Sequence, residues 1–370
     1  MQIKYTPVTS VIFSILLFGF SACKKDSSLH SSPELKIQLG KLLFTDRTLS
    51  NPAGQSCASC HSSATGFSDP NHNTISQGAV DGLFGNRNAI NIAYSAFAPT
   101  LQYNVADSGY AGGFFMDGRA NTLQQQAQQP FLNKLEMANL DAAMVIGKLQ
   151  NSPNYSLYKE VYGAANDVNT VFANMAEALS AFEKSSDLNP FTSKFDYYLK
   201  GQASLTAEEL SGMQLFTDTL KGKCANCHLI TPDPVSGKIL FTDHTFTNDG
   251  VPKNPDNPYY TISSAFNPMG SNYVDYGLGA FLNNHDFDGM FKVPTLRNAA
   301  ISAPYFHNGY FNTLEDVVHF YNTRDATGAT YPIAEVPSTI DHDETGNLNL
   351  TAKEESDIVA FLKTLTDGYQ

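Results

Sequence analysis

Two short runs in this chain carry the residue types of redox chemistry: Cys57-Ala58-Ser59-Cys60-His61 and Cys224-Ala225-Asn226-Cys227-His228. A CxxCH run is the covalent attachment site of a c-type haem. Two thiols three residues apart reach the two vinyl groups of one porphyrin, and the next residue projects an imidazole at the iron. The composition gives roughly 0.002 chance matches to such a pattern, so two matches are not coincidence. A zinc ribbon needs its CxxC pairs about 15–20 residues apart, far closer than here. A thioredoxin-type redox pair needs no histidine after each second cysteine. The spacing therefore predicts two covalent haem c groups, held by Cys57, Cys60, Cys224 and Cys227, with His61 and His228 as proximal iron ligands.

The chain has five cysteines, and the fifth, Cys23, lies at the end of a leader-like segment. Lys4, the apolar run Val11–Phe20 and the small pair Ser21-Ala22 read as an export signal over residues 1–22. Ten apolar residues are too few to cross a hydrocarbon layer about 30 Å thick. Small residues directly before a cysteine resemble a bacterial lipoprotein signal, in which Cys23 is lipidated and residues 23–33 form a polar tether. The expected location is outside the cytoplasm, periplasmic or on the outer membrane, with the lipid as the sole membrane contact. Haem c attachment outside the bacterial cytoplasm agrees with export.

The remaining sequence must position two haems. Leu43-Phe44-Thr45-Asp46 precedes the first motif and Leu215-Phe216-Thr217-Asp218 the second. Each ends an amphipathic helical pattern, Leu35/Leu39/Leu42/Leu43 in one and Leu210/Met213/Phe216 in the other. Thr206 with Glu208 and Glu209 reads as the start of the second helix. Asn189-Pro190 and Lys200-Gly201-Gln202 interrupt the pattern between them. The expected fold is mainly α: two cytochrome-c-like haem domains, 34–195 and 196–370, with long irregular loops at 64–91 and 231–289. A net charge of −13 and a pI near 5.0 argue against a nucleic-acid partner, which would require a basic stripe. They permit a basic protein partner without requiring one.

Whether a haem carries electrons or performs catalysis depends on its second axial position. On spacing alone His72, His244, His285, His307, His319, His342 and several methionines are all formal distal ligands. Further motifs narrow this choice: Arg87-Asn88, Phe115-Met116-Asp117-Gly118-Arg119, Gln126 through Pro130 to Leu135-Glu136-Met137, and Val293-Pro294-Thr295-Leu296-Arg297-Asn298 running on to Ala303-Pro304-Tyr305-Phe306-His307-Asn308-Gly309. With the two CxxCH sites, they make residues 35–365 resemble the bacterial di-haem cytochrome c peroxidase family, including the branch that matures methylamine dehydrogenase.

That resemblance implies a peroxide site at the N-terminal haem, with Gln126 and Glu136 as catalytic residues and Pro130 shaping the pocket. A carboxylate within reach of a bound peroxide takes a proton from one oxygen and delivers it to the other. An amide orients the peroxide without adding charge. Many relatives close this haem with a loop histidine. The matching stretch Ser76-Gln77-Gly78-Ala79-Val80 has none, which implies an open site and leaves His72 as a surface residue. At the C-terminal haem the position of the family's distal methionine falls on Tyr321, as in the maturation branch, with Met269, Met290 and His319 as fallbacks. Leu314, Val317 and Tyr321 share one helix face. The family's inter-haem tryptophan is Met116 here, in a chain without any tryptophan, and Tyr110 is a substitute relay. The resemblance also implies a Ca²⁺ held by the Asn88 side chain and the carbonyls of Ser302 and Pro304.

The leading functional expectation is a peroxidase. It would reduce hydrogen peroxide at the N-terminal haem with electrons from a small soluble cytochrome c or copper protein, relayed through the C-terminal haem. The alternative is a maturation-type oxidase that turns the oxidising power of peroxide on a protein or organic substrate. A non-catalytic electron carrier ranks third. A homodimer is compatible with the sequence.

Overall fold

A helix pair that crosses at a glycine builds each half of the molecule. In the computed structural model, which describes residues 1–2, 32–106 and 108–370, the helices are α1 (Pro33–Thr45), α2 (Cys57–Cys60), α3 (Leu123–Leu132), α4 (Ala142–Asn151), α5 (Tyr155–Tyr162), α6 (Val168–Glu183), α7 (Lys194–Leu199), α8 (Ala207–Thr217), α9 (Gly277–Leu282), α10 (Leu314–Thr323) and α11 (Ala352–Lys363). Most of the leader, Cys23 and most of the tether lie outside the described residues. No described helix is long and apolar enough to cross a membrane.

In the first half α1 packs on α6. A Cβ at Gly40 would stand 1.9 Å from the Ala178 carbonyl oxygen, so only glycine allows this approach. Phe44 meets Phe182 edge to face at 5.3 Å. The second half repeats the arrangement with α8 on α11. A Cβ at Gly212 would stand 1.9 Å from the Asp357 carbonyl oxygen, and Phe216 meets Phe361 at 5.2 Å. Thr206 and Glu209 form the capping box that opens α8, as the sequence predicts. Two separate buried clusters result: one between Leu39 and Leu188, the other between Phe195 and Leu365.

Among the described residues, sheet is confined to two antiparallel pairs. β1 (Gln102–Asn104) pairs with β2 (Gly109–Ala111), and β3 (Phe246–Thr247) with β4 (Phe291–Lys292). The residues expected to be irregular, 64–91 and 231–289, carry only short turns of helix, β3 and α9.

Buried polar ties join the halves. The Arg87 guanidinium donates to both oxygens of Asp275, at 2.7 and 2.8 Å, and to Asp117 at 2.7 Å. Asp367, near the C-terminus, accepts from the Tyr94 hydroxyl at 2.7 Å and from Asn298 Nδ2 at 2.9 Å.

Candidate haem sites

Cys57 and Cys60 both lie on α2, and His61 follows as its C-terminal cap. His61 Nδ1 is 2.9 Å from the Phe67 carbonyl oxygen. A carbonyl only accepts, so Nδ1 carries the proton and Nε2 is left as a bare lone pair, the tautomer that an imidazole ligand needs. Burial pushes the His61 pKa down, which keeps the ring neutral. The second motif repeats each of these features. A short 3-10 turn, Cys224–Asn226, leads to His228, whose Nδ1 is 2.9 Å from the Phe241 carbonyl. Burial likewise lowers the His228 pKa. Burial pushes all four thiols up to about 12. The donor sets fit two c-type haems: paired thiols with an oriented, neutral imidazole beside each pair.

Beside Cys224, Cys227 and His228 opens a cavity of about 220 Å³, walled by Phe216, Leu314, Val318 and Ile358. Tyr321 lines it, and the charges of both cysteines bear on its hydroxyl. Leu314 and Val317 line it too, so the helix face read from the sequence is the one that meets the cavity. The fallback ligands Met269, Met290 and His319 do not line it, and His319 turns outward to Glu355 at 3.0 Å. The Tyr321 hydroxyl donates to Asp249 Oδ2 at 3.2 Å. Burial pushes the Asp249 carboxyl up to about 6.

Near the first motif, Glu136 is half-buried on the turn after α3, and Oε1 accepts from Asn133 Nδ2 at 2.7 Å. Burial raises its pKa, against the pull of Asn133 and Arg119. Its charge bears on the thiols of both Cys57 and Cys60, which places it beside the attachment point. The loop without a histidine runs alongside: Ala79 N–H donates to the Glu136 carbonyl at 2.6 Å. His72 is exposed and its Nδ1 bonds the Ala303 carbonyl at 2.8 Å. Gln126, on α3, lines a second and smaller cavity with Phe115.

A further internal repeat positions these groups. Phe115-x-x-Gly118-x-x-Asn121-Thr122-Leu123 recurs as Phe306-x-x-Gly309-x-x-Asn312-Thr313-Leu314. Both phenylalanines and both glycines have positive φ, from 63° to 72°. Thr122 and Thr313 each cap the following helix through a side-chain acceptor. Counting eight residues from each cap brings α3 to Pro130 and α10 to Tyr321. Proline thus occupies, in the first half, the position that carries a tyrosine in the second.

The other expected residues fall as follows. Asn88, Ser302 and Pro304 line the larger cavity together. Asn88 Nδ2 donates to the Thr74 carbonyl at 3.0 Å, which leaves Oδ1 as its outward atom. Met116 is buried against the same cavity, and its carbonyl accepts from Lys292 N–H at 2.8 Å. Tyr110 stands instead in a ring cluster with Tyr103 and Phe287, at 5.0 and 5.2 Å.

Comparison with known proteins agrees with this geometry. The family profile described as di-haem cytochrome c peroxidase matches residues 34–204. The methylamine utilization protein MauG of Paracoccus denitrificans is 36% identical over 349 residues, covering 89% of this chain and 88% of that protein. Cytochrome c peroxidase Ccp of Escherichia coli is 32% identical across 90% of this chain and 58% of its own length. The solved structure of the diheme peroxidase BthA from Burkholderia thailandensis superposes with a TM-score of 0.77 at 31% identity, covering 90% of this chain and 86% of that one. The extent of these matches and the two oriented CxxCH sites lead to one conclusion: the chain belongs to the di-haem cytochrome c peroxidase family, oxidoreductases with two c-type haems.

Proposed function

We propose that this protein reduces hydrogen peroxide to two waters, taking up two electrons and two protons, at the haem held by Cys57, Cys60 and His61. When bound, that haem supplies an iron for peroxide, and the haem of Cys224, Cys227 and His228 supplies the entry point for single electrons. The observation that carries this reading is the paired position of Pro130 and Tyr321. A prolyl ring offers iron no donor atom, so Pro130 of α3 could not ligate the first haem where Tyr321 of α10 would offer the second a phenol. Glu136 performs the proton work. Asn133 holds Oε1, so Oε2 would be the atom that accepts a proton from peroxide and gives it to the leaving oxygen. Burial keeps this carboxyl poised between its two forms at higher pH than an exposed glutamate. The Gln126 amide orients the peroxide without adding charge. At the second site the Tyr321 hydroxyl donates to Asp249, and burial with that carboxylate pushes its pKa well above the ordinary tyrosine value, so freeing the phenolate as a ligand would need the pull of a bound ferric iron. An anionic oxygen ligand favours ferric iron.

Calcium fits between these sites, on Asn88 Oδ1 and the carbonyls of Ser302 and Pro304, with water completing an oxygen shell. The halves 34–195 and 196–370 serve as the two haem domains. A small soluble cytochrome or copper protein is the donor. Export with lipidation at Cys23 would hold the enzyme at a membrane outside the cytoplasm, and mass spectrometry of the mature N-terminus tests this.

A second reading, oxidation of a protein or organic substrate, is favoured by Tyr321 and by the similarity to MauG. Adding peroxide together with a reduced small cytochrome or copper protein separates the two. Rapid donor oxidation supports the peroxidase. Negligible donor oxidation, with a long-lived oxidised protein, supports the second reading.

A further inference from the structure

The smaller cavity, about 50 Å³, lies between the backbone that flanks His61 and, from the second half, a pair of basic side chains with the run Val293-Pro294-Thr295, whose Pro294 backbone bears on the His228 ring. On one side run Ile90, Asn91 and Ile92, and the Ile90 backbone bears directly on the His61 ring. Gln126 and Phe115 close the next wall. Opposite stand His244 and Lys292.

Both basic residues are unusual. His244 is buried to 8% exposure, and its Nε2 has no hydrogen-bond partner. Its backbone is held at φ 59°, with its N–H on Thr242 Oγ1 at 2.9 Å and its carbonyl receiving Gly112 N–H at 2.9 Å. A non-glycine residue kept there by bonds on both sides costs free energy, and such positions gather at functional sites. The Lys292 ammonium donates to the Gly113 carbonyl at 2.6 Å and lies 5.7 Å from the centre of the Phe114 ring. Among the described residues it has no carboxylate ion-pair partner. Burial pushes its pKa down to about 8, so it still carries its charge at neutral pH. Burial also holds His244, at about 4, neutral.

A half-buried cation that feels Asp117 but has no carboxylate in ion-pair contact among the described residues, beside an unpartnered imidazole and the Gln126 amide, suits an anion with oxygen acceptors. The space exceeds the roughly 30 Å³ that a water occupies in the liquid, so it admits a carboxylate. A covalently held haem brings such groups. Its vinyl edge is tied at the cysteines, and its two propionates project from the opposite edge. We propose that Lys292 and His244 form the seat for a propionate carboxylate of the N-terminal haem, with Gln126 as the neighbouring amide. This inference rests on the reading that His61 holds that haem. It assigns Lys292 and His244 as positioning residues, which fix the haem edge and set the charge it feels.

The test uses the fully loaded protein and the variants Lys292→Met, Lys292→Arg and His244→Leu. Protein mass and haem content come first, because a wild-type chain lacking two covalent haems would refute the attachment reading and not the seat. Resonance Raman bands of propionate bending and the midpoint potential of each haem are then compared. Removing a nearby positive charge disfavours the ferrous state. Lys292→Met is therefore expected to shift the propionate band of the N-terminal haem and to lower its potential more than that of the C-terminal haem, whose cavity Lys292 also lines. Lys292→Arg restores both, and His244→Leu shifts the band with a smaller change in potential. Should Lys292→Met fail to assemble, His244→Leu carries the test with the same readouts. An unchanged band and potential in the variants, or a change confined to the C-terminal haem, overturns the proposal.

Discussion

At the level of single residues the proposed chemistry rests on Glu136, and its position makes that role measurable. Glu136→Gln keeps the hydrogen bond to Asn133 but cannot exchange a proton. It is expected to slow reaction with peroxide by about 10²–10⁴-fold at unchanged haem content, measured by stopped-flow absorbance. An unchanged rate removes Glu136 from the mechanism. Because burial raises this carboxyl, it stays protonated to higher pH than the ordinary glutamate value of about 4.3. Its base form is lost as pH falls, so the peroxide reaction should fall with an acid limb above that value. The limb should vanish in Glu136→Gln. Cys57, Cys60, His61 and their second-half counterparts were legible in the sequence because covalent attachment fixes their spacing. Glu136, Gln126 and Tyr321 were legible only through resemblance to a family. Asp249, His244 and Lys292 were not, because each meets its site through a fold contact between distant segments.

Among the elements, the two helix crossings set where each haem pocket stands. Gly212→Ala would drive a methyl into the Asp357 carbonyl and force α8 from α11. The expected cost is about 1–3 kcal/mol, read as a lower denaturation midpoint. An unchanged midpoint would mean that the crossing relaxes freely. The buried pair of Arg297 with Asp196, bonded at 2.9 and 3.0 Å, joins the start of α7 to the segment beside the second haem site. Burial pushes the Asp196 carboxyl up, but Arg297 and Ser193 more than offset this and hold it below its usual range. Its contribution is therefore present above the ordinary aspartate range and is lost as pH falls through the depressed value. Asp196→Asn should cost about 3–5 kcal/mol, since it leaves Arg297 buried without its charge partner. The Leu-Phe-Thr-Asp repeat and the start of α8 were readable from periodicity and capping. The partners α6 and α11 were not, since a helix pattern says which face is buried and not what covers it.

For the whole molecule, the proposed function requires one chain to keep two haems in different states of access. Chelation by EGTA tests the proposed calcium: haem spectra and peroxide turnover should change together and recover when Ca²⁺ is restored. No change would argue against Asn88, Ser302 and Pro304 as ligands. The most direct test of the central claim is electron paramagnetic resonance of the oxidised protein as isolated. The expected result is one high-spin ferric signal, from the haem whose helix offers only Pro130, and one low-spin signal from the haem facing Tyr321. Two low-spin signals would contradict the open peroxide site.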